Sequence, residues 1–188
     1  VTLMPRIPRQ PKTKHLKLTV AYDGTRYGGW QRQPNRVTIQ QLVEEAASKL
    51  AGRRVVLHGS GRTDAGVHAA GYVANFYTTN PAPTVGFLRS TGSRLPKDMT
   101  LIQVSETPLT FHATRSAVSK LYRYRIHNTP GRPCERLSQR YVYHMWALLD
   151  LDVMRRAVEH WIGDHDFTSF ASAGSVRETN VRTIHRIE

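Results

Sequence analysis

The chain has 188 residues, 39% of them hydrophobic, which suffices for one packed domain or two small ones. Lysine and arginine number 27 against 14 acids, giving a formal net charge of +13. That imbalance excludes a neutral solvated surface and points to a polyanionic partner, nucleic acid before membrane. No apolar run reaches the length of a membrane span, and the opening residues lack the apolar stretch of a secretory signal. A lone Cys134 excludes an intramolecular disulfide, disfavours structural zinc and suits a reducing, cytoplasmic setting.

Residues 1–14 hold Pro5, Pro8 and Pro11 among Arg6, Arg9, Lys12 and Lys14, and read as a basic disordered arm. Leu16, Leu18 and Val20 alternate with polar residues, so a half-buried strand is expected over 16–22. The loop that follows mixes Arg26, Tyr27, Gly28, Gly29, Trp30 and Arg32. Such a loop could stack on and cradle nucleic acid, or its Trp could plug the core edge. Thr38 with Gln41 forms a capping-box pair, and Ile39, Leu42, Val43, Ala46, Ala47 and Leu50 share one helical face before Gly52. That stripe is core.

A strand is expected over 53–60, followed by Gly61-Arg62-Thr63-Asp64-Ala65-Gly66-Val67-His68 and a strand over 71–78. Glycines let a sharp turn present Asp64 at a strand end, beside the guanidinium of Arg62. The pair reads either as a nucleophile or base with its cation, or as an Asx turn with a surface ion pair. A weaker helix over 84–95 and a strand over 99–104 complete a βαββαβ order, the ferredoxin-like split unit.

Beyond it, Tyr122, Tyr124 and Ile126 fall on one face of a predicted strand over 121–127, with Arg123 and Arg125 on the other. A short strand over 140–146, a helix capped by Asp150, and strands over 167–170 and 182–188 follow. The fold class expected is therefore α+β. It has a 15–108 domain and a 109–188 domain of the same kind that lacks its last helix and strand.

The Asp64 stretch resembles the signature of the TruA family of tRNA pseudouridine synthases. Residues 20–33 are similar to that family's first strand and loop, and Thr110-Phe111-His112-Ala113 to its Asp-Phe-His-Ala motif. Leu121-Tyr122-Arg123-Tyr124 resembles its Tyr-Arg-Tyr strand, and residues 164–170 its later acidic-aromatic loop. The resemblance implies isomerisation of uridine to pseudouridine in the anticodon stem-loop of tRNA, at positions 38 to 40. It also implies no metal or cofactor, and a homodimer whose two ferredoxin-like halves flank a basic cleft. Asp64 would be the essential carboxylate, Tyr122 would pack against the target base, and Arg62 would sit beside the acid. Arg26, Tyr27, Trp30, Arg32 and Arg123 become candidate RNA contacts.

Two departures stand out. Thr91-Gly92-Ser93-Arg94 replaces a usual Leu-Asn pair before Leu95-Pro96. The family's later helix, with its Met-Val-Arg motif and a basic residue that reaches the aspartate, has no counterpart. The competing readings are a catalytically impaired or truncated tRNA-binding paralogue, and a non-catalytic RNA-binding module on the same sheet scaffold. The Asp64 loop discriminates, because a passive binder gains nothing from an acid facing phosphates.

Overall fold

In the computed structural model, which describes residues 12–131, 140–171 and 179–188, the first alternating run becomes β1 (Lys14–Tyr22). α1 (Ile39–Ala51), β2 (His58–Gly59), β3 (Ala69–Thr78), α2 (Thr84–Gly92) and β4 (Met99–Glu106) follow. The strands form one antiparallel sheet in the order β2-β3-β1-β4. Leu18 lies at the centre of the register, opposite Ala74 on one side and Val104 on the other. Side chains of even number on β1 and β3 meet Ile39, Val43 and Ala47 of α1 and Phe87 of α2 in one buried cluster. Each fully buried Leu, Val or Phe contributes about 1.5–3 kcal/mol there.

The Thr38 cap forms, with its hydroxyl accepting from Gln41 N at 3.4 Å. The reciprocal half of the capping box does not, because the Gln41 amide donates to Glu45 instead, at 3.0 Å. Gly52 closes α1 at φ +69°. Only two residues of the strand expected over 53–60 pair with β3. The preceding backbone bonds side chains of α1: Val55 N donates to Ser48 Oγ at 2.9 Å and Leu57 N to Glu44 Oε1 at 3.0 Å. Glu44 is only 4% exposed, and it also accepts from Gln40 and Arg32.

Residues 107–114 cover part of the opposite face of the sheet, over His15 and Asn75. His15 Nδ1 donates to Pro108 O at 2.9 Å, and His15 Nε2 accepts from Asn75 Nδ2 at 2.8 Å. Asn75 Oδ1 in turn accepts from Ala113 N at 2.8 Å. These bonds carry the connection back onto the first sheet. The chain accordingly divides between Tyr122 and Arg123, later than the expected 108/109 boundary. Residues 1–11 of the expected arm, and Cys134, lie outside the described residues. Lys14 belongs to β1, where it bonds Pro81 O and Ala82 O at 3.1 Å and pairs with Glu106 at 3.3 Å.

The second unit contains β5 (Ile126–Asn128) parallel to β6 (Tyr143–Met145), α3 (Leu151–Glu159), and β7 (Gly163–Asp166) antiparallel to β8 (Val181–Ile184). Asp150 caps α3, accepting from Asp152 N and Val153 N at 3.0 and 2.9 Å. Residues 121–125 make no strand, so the two-faced aromatic and basic platform does not form. The strand expected at 167–170 is a 3-10 turn at Thr168–Phe170. The cause is an Asx turn: Thr168 Oγ1 and Thr168 N both donate to Asp166 Oδ1, at 2.5 and 2.9 Å, and these bonds, the hydroxyl's first, hold the Asp166 carboxyl below its usual range. No described residue beyond Ala113 is buried.

Candidate active site

Leaving β2, the backbone is gripped at nearly every residue before it reaches Asp64. Gly59 O accepts from Thr114 Oγ1 at 2.7 Å, and Ser60 O from Lys120 Nζ at 2.8 Å. The Tyr72 hydroxyl donates to Gly61 O and accepts from Gly61 N at 3.3 Å. Thr63 O accepts from Trp30 N at 3.0 Å, while Thr63 Oγ1 shares a 3.0 Å hydrogen bond with Tyr22 OH. Val67 N then closes the turn on Asp64 O at 3.2 Å.

Beneath the turn, Trp30 stacks on Tyr72 at 3.8 Å between ring centroids, and Tyr22 lies 6.0 Å from Tyr72. Burial raises both phenols above the usual tyrosine range, so both keep their protons, and Tyr72 donates its proton to the loop. Two glycines of the 23–30 segment allow the loop to seat. A side chain at Gly24 would collide with Val67 O, and one at Gly29 (φ +88°) with Thr63 O and Asp64 C. His68 completes this scaffold, its Nδ1 lying 3.1 Å from both Gly24 N and Asp23 Oδ1.

On this scaffold the side chains of Arg62 and Asp64 are exposed, and neither makes a hydrogen bond or ion pair among the described residues. A surface Arg62–Asp64 pair is therefore not what shapes the turn. The arrangement leaves a carboxylate open to an incoming group on a backbone already held still.

The other candidates separate. Trp30 is 2% and Tyr27 7% exposed. Both are core residues, which corrects the expectation that they stack on RNA. Tyr27 donates to Asp98 at 2.6 Å, and its burial followed by that bond pushes its pKa up to about 12. Arg26 is spoken for by Asp98 at 2.7 Å, and Arg32 by Glu44 and Glu45 at 3.2 and 3.6 Å. Tyr122 ends the first unit and Arg123 opens the second, both exposed. The sequence reading overlooked Tyr22, Tyr72, Thr114 and Lys120. Tyrosines at strand ends next to a glycine-rich turn were the available signal for the first two. Among the described residues no three His, Cys, Asp or Glu gather as a metal site, and no helix is long and apolar enough to cross a membrane.

Residues 18–115, which contain the later part of β1, the Asp64 turn and the 107–114 connection, match the family described as tRNA pseudouridine synthase. The tRNA pseudouridine synthase A of Caldicellulosiruptor bescii is 46% identical over 172 residues, covering 92% of this chain and 70% of that protein. That of Geotalea daltonii is 41% identical over 175 residues, 93% of this chain and 70% of the relative. The tRNA pseudouridine synthase A 2 of Clostridium perfringens is 44% identical over 171 residues, 91% and 69%. The chain belongs to the tRNA pseudouridine synthase family. Membership of this TruA-type group makes it an isomerase. The synthase matches its relatives over nearly all of its own length and over about 70% of theirs.

Proposed function

We propose that the chain isomerises uridine to pseudouridine in the anticodon stem-loop of tRNA, at positions 38 to 40, with Asp64 as the essential carboxylate. The observation that carries this reading is the exposed Asp64 side chain on an anchored backbone. The reaction breaks the N1–C1′ bond, turns the uracil and forms C5–C1′, moving a proton from C5 to solvent while N1 gains one. An ionised carboxylate serves it as a nucleophile that traps the ribose or the base, or as the acceptor of the C5 proton. Arg62 and Tyr122 are proposed substrate contacts, Arg62 from the same turn and Tyr122 against the target base once it leaves its stack. Arg26, Arg32 and Arg123 are proposed for the RNA backbone. Two ferredoxin-like halves around a basic cleft are proposed; the strand order of the first sheet supports the first half, and the net charge of +13 supports a polyanionic partner. The working form is proposed to be a cytoplasmic homodimer.

Mapping pseudouridine in an unmodified tRNA after incubation with wild-type and Asp64→Asn protein tests the proposal. The expected result is product at positions 38 to 40 with wild type, and a loss of at least about 10³-fold in the variant with tRNA affinity within about twofold. Undiminished turnover in the variant removes Asp64 from the chemistry, and product elsewhere in the tRNA removes the anticodon assignment.

A further inference from the structure

Two open grooves on the first unit differ in charge balance. The first is lined by Arg32, Lys49, Arg53 and Arg54 together with Glu44 and Glu45. Arg32 pairs with both acids there, so carboxylates share the walls of this groove with its cations. The second, about 400 Å³, runs beside the Asp64 turn and is lined by Trp30, His58, Gly59, Arg62, His112 and Thr114, with no acidic side chain on its walls.

The second groove holds unspent donors. Arg62 has no partner among the described residues. His112 Nδ1 accepts from Thr114 N at 3.2 Å, which places the proton of the neutral ring on Nε2. That Nε2–H donates to nothing among the described residues. The His58 ring lies 5.6 Å from the His112 ring, and Lys120 sits next to the groove, anchored on Ser60 O. A phosphodiester is an acceptor-only monoanion, the complement of donors and a guanidinium without a competing carboxylate. A base would need a parallel slot, and the two imidazoles are tilted by 44°.

We propose that this groove seats a backbone phosphate of the RNA strand beside the nucleotide that Asp64 acts on, with Arg62, His112 and His58 as its ligands. The proposal rests on the RNA-modifying reading above. It adds a fixed point from which the strand is registered against the carboxylate.

The test couples one protein change with one RNA change. In His112→Asn the new side-chain oxygen can still accept from Thr114 N, as in an Asx turn, while the ring and its outward donor are lost. His58→Asn, on an exposed position of β2, is a second variant that spares the turn altogether. Each phosphodiester around the target uridine of a synthetic anticodon stem-loop is replaced in turn by a neutral methylphosphonate, and Kd is measured. At one linkage the wild type is expected to lose about tenfold in affinity, and the same replacement to cost the variants little or nothing. Penalties that multiply independently at every linkage overturn the proposal, as does a variant impaired in saturated rate with unchanged Kd. Because binding is read without turnover, intact coupling in a protein that makes no pseudouridine would sink the enzymatic reading and leave the groove standing.

Discussion

Tyr72 shows how much one hydroxyl contributes to the candidate site, since it satisfies both the N–H and the C=O of Gly61. Tyr72→Phe keeps the ring stacked on Trp30 and frees those two groups. It is expected to cost about 1 kcal/mol of stability in urea unfolding. The single-turnover rate is expected to fall about tenfold with little change in tRNA affinity. An unchanged rate would show that the turn holds without this phenol. Tyr22, Tyr27 and Tyr72 all have raised pKa values, Tyr27 at about 12. A phenol whose folded pKa lies above its unfolded value of about 10 binds more protons in the folded state above that pH. Its contribution is complete below about pH 10 and is lost as pH rises toward the folded pKa. Urea midpoints should therefore be level in this respect up to about pH 10 and then fall, with a shallower decline in Tyr72→Phe.

At the scale of elements, two glycines with positive φ have different consequences. Gly52 ends α1 with nothing within 4 Å of a would-be side chain, whereas Gly29 faces the backbone of Thr63 and Asp64. Gly52→Ala should cost about 1 kcal/mol of stability and leave pseudouridine formation unchanged. Gly29→Ala should cost more and also abolish most activity, because the turn must lift away to admit a methyl group. Equal activities in the two variants would contradict the seating described here. Glu44→Ala should destabilise by about 3 kcal/mol in the same assay, since Leu57 N and Gln40 lose a buried acceptor. Five of the six elements of the first unit were legible in the sequence because alternation, the Thr38 cap and Gly52 are local signals. The short β2 was not, because Val55 and Leu57 have the composition of a strand while Ser48 and Glu44 claim their backbone from across α1. Asp64 was legible as a candidate from its glycines and neighbours. Its anchoring was not, since Tyr72, Thr114 and Lys120 reach it from distant parts of the chain.

Across the whole molecule, burial is concentrated in the first unit, and α3 carries no buried residue. Hydrogen exchange should follow that division. Amides of β1 and β3 should be protected by several orders of magnitude, and those of α3 should exchange close to the rate of an open helix. Strong protection along α3 would show that it is covered in solution. The uneven burial also has a genetic consequence. Substitutions in the first unit can change how much folded protein a cell holds, while those at the described residues after Ala113 have no core to disturb. A deep mutational scan scored for abundance should therefore fall nearly silent past that residue. The same library scored for pseudouridine in cellular tRNA should not. Subtracting the first map from the second would outline, residue by residue, which positions of the second unit serve the reaction rather than the fold.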